Sequence, residues 1–359
     1  MKKSHLEQLD VFRAIAALSV CSVHFSYNSF FQVYFKQALF VQFFFTLSGF
    51  VIYLNYHDQF FDIAKIKKFM IKRFFRLYPL HLFFLLIFGA IEWIKYFLFI
   101  NYGIEANNKH FELNNISNFF FHLFFLQHYA DSYAFNGPAW SISVEMFLYF
   151  TFSIMFFFNK KYFLMMPIIF IILFSLFLEN NYGAGFSHNA VYSGLYSFSL
   201  GCIFCSIYLK NKIFFNSKLF NKFYFILLIL FFVELFKYKI LFKLNYSFIY
   251  SVIFGLMIYL SCFLNKNFFL YKLFFNKMFI FLGKISYSIY LGHVLVFFLL
   301  NNFLKYIIKY PTDVTSDGTV FIKLSIFESN LFTLFAYLLT IFLASYTYKY
   351  IETKYYKKF

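Results

Sequence analysis

The stretch 9-LDVFRAIAALSVCSVHF-25 decides how this chain is read, because it sets an arginine and a histidine inside a run that is otherwise membrane-like. Arg13 and His24 lie eleven residues apart. At 100° per residue that is about 1100°, three turns plus roughly 20°, so one helix carries both on the same side. Along the axis they stand about 16 Å apart. One membrane helix therefore presents two polar heads on one face at two depths.

Working outward, the 359 residues are 62% hydrophobic and 28% aromatic, and only 13% are charged. A soluble domain carries about 25% charged residues, and apolar runs recur along the whole length, so the composition describes an integral membrane protein. The 67 phenylalanines fit an AT-rich genome and carry no individual functional weight. A net charge of +17 would suggest nucleic acid in a soluble protein. Here lysines held in cytoplasmic loops explain it, and no nucleic-acid partner is expected. The first apolar run has no small-residue cleavage site, so no signal peptide is expected. Cys21, Cys202, Cys205 and Cys262 sit in apolar runs. The lone CxxC of Cys202 and Cys205 is expected to pack between helices, with no metal.

The spacing predicts an all-α polytopic protein of about ten transmembrane helices, at 9–29, 38–56, 79–99, 138–158, 162–179, 191–209, 222–237, 246–264, 285–304 and 331–350. The basic cluster 65-KIKKFMIKRFFR-76 should be cytoplasmic, which puts both termini on that side. The loops 159-NKK-161, 210-KNKIFFNSK-218 and 265-NKNFFLYKLFFNK-277 agree, and 180-NNYGAGFSHN-189 falls outside. The basic 237-KYKILFK-243 is placed outside against the trend. The segment 117-SNFFFHLFFLQHY-129 is apolar but too short to span, and reads as a re-entrant or interfacial piece. With no repeat, linker or terminal soluble part, residues 1–359 are expected to form a single domain.

Ionisable groups within spans are functional candidates, because uncompensated burial costs about 2.5–3.5 kcal/mol on insertion scales. Asp10 lies three residues before Arg13 and can pair with it, which leaves His24 unexplained. Ser141 and Glu145 share a face of 138-PAWSISVEMFLYF-150, and the carboxylate needs a partner such as His24 or Arg13. The ordinary alternative is a glutamate favoured at a helix start by the macrodipole. Arg73 and Arg76 share a face at the entrance to the third span, ahead of Pro79, and suit a phosphate clamp or an ordinary interfacial anchor. In 282-LGKISYSIYLGHVLV-296, Ser286 and His293 share a face, with Tyr287 and Tyr290 nearby; small polar residues there also serve helix packing. Glu92 with Lys95, and Glu234 with Lys237, read as structural pairs.

Five stretches together resemble the acyltransferase family 3 membrane proteins, which acylate O-antigen, peptidoglycan and other surface glycans. They are LDVFRAIAALSVCSVHF with Arg13 and His24, 43-FFFTLSGFVI-52 with Ser48, RFFRLYP with Arg73 and Arg76, WSISVE with Ser141 and Glu145, and LGKISYSIYLGH with Tyr287 and His293. The closing 346-YTYKYIETKYY-356 is similar too, with Glu352 in place and Thr353 where proline is usual. Val11 and Ala14 replace common glycines beside Arg13.

The resemblance implies a multi-pass protein of the inner membrane that moves an acyl group, most often acetyl from acetyl-CoA, to a saccharide hydroxyl. The acceptor would be O-antigen lipopolysaccharide, capsule or exopolysaccharide, free or lipid-linked. No hydrolase-like domain is appended, so the chain is expected to act alone or with a separate glycan-assembly protein. Phosphates of the acyl-CoA would dock on Arg73 and Arg76, oriented by Glu352, and the pantetheine arm would pass Arg13. His24 would serve as general base or transient acyl carrier. Glu145 would hold its tautomer, and Ser141 would position substrate or oxyanion. The rival reading is a transporter or flippase of a lipid-linked saccharide, which repeated halves with interrupted helices would favour.

Overall fold

The computed structural model describes residues 6–25, 39–59, 62–106, 109–129, 134–158, 186–210, 218–237, 246–314 and 320–356. The described residues are helical nearly throughout. The main helices are α1 (Glu7–His24), α2 (Leu39–Tyr56), α3 (Ile63–Tyr102), the short α4 (Ile116–Leu123), α5 (Trp140–Phe158) and α6 (Phe186–Lys210). There follow α7 (Lys218–Lys237), α8 (Tyr246–Ser261), the short α9 (Phe269–Phe274) and α10 (Lys277–Lys284), then α11 (Ser286–Asn302) and α12 (Ile326–Thr347). A π-helical turn, Tyr348–Glu352, and α13 (Thr353–Tyr356) end the described chain.

Among the described residues, helices occupy every expected span; 162–179 lies outside them, as do 180–185 of the expected outer loop and the Glu234 side chain, while 186–189 of that loop belong to α6. By length and composition six helical segments among the described residues can cross a membrane: Leu39–Tyr56, Ile63–Tyr102, Gly137–Phe157, Ala190–Lys210, Ser286–Ile307 and Ile326–Tyr355. Ten expected crossings are therefore matched by six; Ile249–Ser261, for one, is apolar but shorter.

Two boundaries differ from the sequence reading. The helix that carries the third span starts well before Pro79: α3 starts at Ile63 and runs 40 residues with Pro79 inside it. That is about 60 Å, twice a hydrocarbon core. A proline removes one backbone bond, a loss membrane helices repair through neighbouring groups. The basic cluster is therefore the first third of the same helix, with Lys65, Lys67 and Lys68 exposed. In the 138–150 stretch, Pro138 sits in a 3₁₀ turn, Gly137–Ala139, and the α-helix begins at Trp140.

The chain clusters into two compact units, Met1–Val20 with Tyr34–Phe69 and Leu148–Ser286, and Cys21–Val33 with Met70–Phe147 and Tyr287–Phe359. In the first unit α2 and α6 meet backbone to backbone. A Cβ on Gly201 would fall well inside 3.0 Å of the Thr46 carbonyl oxygen, and one on Gly49 would meet the Phe198 carbonyl the same way. Small residues permit this approach where lipid gives helices no hydrophobic reason to associate. Cys202 Sγ donates to the Gly49 carbonyl at 3.3 Å, so the CxxC serves packing. α8 closes on both helices through Phe43–Phe254 rings 5.1 Å apart and a Ser197–Ser251 hydroxyl bond of 2.8 Å. Gly283 of α10 abuts the Asp10 backbone of α1 just as closely.

In the second unit α11 packs between α3 and α12, with Gly292 facing the Phe84 ring and Leu343. α4 exposes Ile116 and Phe120 while burying Asn118 and His122. Apolar side out and polar side in is the pattern of a lipid-facing piece, and eight residues cannot span. The interfacial expectation for 117–129 fits this helix. α12 carries a seam of Ser329, Thr333, Ala336, Thr340, Ala344 and Thr347, all fully buried, and turns Phe327, Leu334, Leu338 and Phe342 outward. Between α11 and α12 an antiparallel hairpin pairs Thr312–Val314 with Val320–Ile322. Beside it Tyr310 Oη donates to Glu328 Oε1 at 2.9 Å, a bond that pushes the phenol's pKa up.

Glu92 organises the segment that follows α3. Its carboxylate accepts from Lys95 Nζ at 2.8 Å, Phe111 N–H at 2.9 Å and Asn114 Nδ2 at 2.7 Å, while Asn114 Oδ1 accepts the Phe135 N–H. The expected Glu92–Lys95 pair is there, within a larger hub. Glu92→Ala should cost about 1–3 kcal/mol, since it leaves partly buried donors without their acceptor. A lower melting temperature and faster proteolysis within residues 109–137 would report it.

Candidate active site

His24 is the last residue of α1, and its ring lies 5.0 Å from that of His293 on α11, tilted 46°. His293 is fully buried. Its Nδ1 is 3.3 Å from the Ile289 carbonyl, which can only accept, so Nδ1 carries the hydrogen and Nε2 is left as an acceptor. Phe25 braces the same ring and stacks edge-on to Tyr337 of α12, 5.2 Å away.

Ser141 stands on the first turn of α5, with Oγ 2.8 Å from Tyr290 Oη. Both hydroxyls also reach the Pro138 carbonyl, each at 3.0 Å. Two hydroxyl hydrogens thus serve three oxygens, which leaves lone pairs on the serine–tyrosine pair for an incoming donor. The locally stiff Asn136–Pro138 turn sets the geometry, and Asn136 Nδ2 ties it to α11 by donating to the Leu291 carbonyl at 3.0 Å. Glu145 follows one turn after Ser141, partly buried and within electrostatic range of Tyr290.

The arginine pair lies on the same unit. Arg73 and Arg76 occupy one face of α3, both partly buried. Tyr287 Oη donates to the Leu77 carbonyl at 2.7 Å, and the next residue, Ser288, donates to Glu352 Oε2 at 3.0 Å. One turn of α11 therefore holds both the arginine segment of α3 and Glu352. In the first unit, Arg13 pairs with Asp10 at 3.6 Å as its spacing predicts, and Ser48 Oγ shares a hydrogen bond with Tyr149 Oη at 3.2 Å.

The second unit thus brings His24, His293, Ser141 and Tyr290 into two contacting pairs. The sequence reading placed Tyr290 only as a neighbour and did not foresee its bond to Ser141. It also missed Asn136 and Gln127, whose amide nitrogen donates to the Ala139 carbonyl at 2.7 Å. Asn136, two residues before Pro138, had a turn signal that could have marked it; nothing in the sequence singles out Gln127.

These features define a multi-pass helical membrane protein whose second unit holds a histidine pair and a serine–tyrosine hydroxyl pair. Residues 6–349 match the family model described as an acyltransferase domain. The chain belongs to acyltransferase family 3, and it is a membrane acyltransferase. No curated protein matches it. No solved structure matches it either.

Proposed function

We propose that the protein takes an acetyl group from acetyl-CoA on the cytoplasmic side of the inner membrane and esterifies a hydroxyl of a cell-surface or lipid-linked saccharide. The observation that carries this reading is the His24–His293 ring contact in the same unit as the Ser141–Tyr290 pair. His24 accepts the hydroxyl proton as the sugar oxygen attacks the thioester carbon. The C–S bond breaks, the ester C–O bond forms, and the proton passes to the departing thiolate. Ser141 or Tyr290 donates to the developing oxyanion. Glu145 holds the His24 imidazole in the tautomer that leaves a ring nitrogen free to accept. Arg73 and Arg76 take the CoA phosphates at a mouth braced by Ser288 and Glu352.

The test is purified protein in liposomes with labelled acetyl-CoA. Release of CoA with label entering a saccharide is expected, and saccharide movement without CoA release would make it a transporter. The double change Arg73→Ala with Arg76→Ala should raise KM for acetyl-CoA at least about tenfold, the worth of one charge-assisted bond, with acceptor KM unchanged. The opposite split would remove the docking role.

A further inference from the structure

Among the described residues, the buried atoms Gln127 Oε1, Asn136 Oδ1 and His293 Nε2 have no hydrogen-bond partner, and each belongs to, or is bonded to, the turns that carry Ser141 and Tyr290. Their chemistry is the same. The Gln127 and Asn136 amide nitrogens both donate to carbonyls, of Ala139 and Leu291, so neither amide can be turned over without setting oxygen against oxygen. The His293 hydrogen faces the Ile289 carbonyl. All three orphans are therefore acceptors. All three hang on the two turns, 136–141 and 289–293, that also carry Ser141 and Tyr290.

A buried acceptor that has lost water and gained nothing is a cost kept only where something supplies the missing hydrogen. A carboxylate or phosphate cannot supply it, since it brings acceptors to acceptors. A hydroxyl can. We infer that Gln127, Asn136 and His293 form a hydroxyl-reading site for the acceptor, selecting an uncharged sugar face with free neighbouring hydroxyls over an acidic sugar. The inference rests on the acyl-transfer reading and gives it an acceptor class.

The test uses full-length protein in detergent, with methyl β-D-glucopyranoside and the matching methyl glucuronide as probes, read by saturation-transfer NMR. The glucoside should bind and the glucuronide should not. His293→Gln restores a polar atom near the Nε2 position and should hold glucoside affinity within about twofold, whereas His293→Asn keeps the bond to Ile289 but loses that atom and should weaken binding about fivefold or more. Asn136→Leu should weaken it likewise. A purely structural histidine would give the reverse order of the two substitutions. That order, a preference for the glucuronide, or no glucoside binding would overturn the inference. CoA release from acetyl-CoA is measured on the same samples. Release without glucoside binding removes the hydroxyl site and leaves acyl transfer standing; glucoside binding without release does the opposite.

Discussion

His24→Ala abolishes acyl transfer while the protein still inserts and folds. A general base contributes about 10²–10⁴-fold in rate, and a transient acyl carrier would contribute more. The residue ends α1 and is only partly buried, so its loss removes little packing. CoA release in liposomes, with protein amount and melting temperature measured in parallel, separates lost chemistry from lost fold. An alanine variant that acylates at the parental rate would take His24 out of the reaction.

Gly201→Leu prevents assembly of the first unit. A side chain there must occupy the space of the Thr46 carbonyl and crowd Phe50 N, both on α2, and neither backbone atom can step aside. Overpacking in an adaptable core costs about 1–3 kcal/mol; here it must separate two helix backbones and break the Cys202–Gly49 bond, so the loss is larger. The contrasting change is Gly89→Ala, whose new Cβ meets only the Phe119 ring, at 3.7 Å. Size-exclusion of detergent extracts should show no monodisperse peak for Gly201→Leu and a parental one for Gly89→Ala. A folded Gly201→Leu protein would mean that α2 and α6 do not touch as described.

What the sequence made legible was local. Helical arithmetic set Arg13 and His24 on one face, paired Asp10 with Arg13 and Glu92 with Lys95, and placed Ser141 and Glu145 one turn apart. Hydropathy located the apolar helices, because transfer into lipid is a property of a window of residues. It gave no sign that α3 starts sixteen residues before the expected span, because a hydropathy window stops where charge begins while the helix continues through Lys72. Contacts between distant segments were out of reach. Ser141 and Tyr290 are separated by 149 positions, and neither residue type announces the other. The orphaned acceptors were equally hidden, since an unmet hydrogen bond is visible only once every neighbour has been placed.

The seam on α12 has a consequence for how such a chain tolerates a biased genome. Codon drift toward phenylalanine can proceed freely where Phe327, Phe335 and Phe342 meet lipid, since one greasy ring there serves as well as another. It halts at Ser329, Thr333, Ala336, Thr340, Ala344 and Thr347, where a ring would pry the helix from its neighbours. One side of this helix must therefore fit its neighbours closely, while the other need only be greasy.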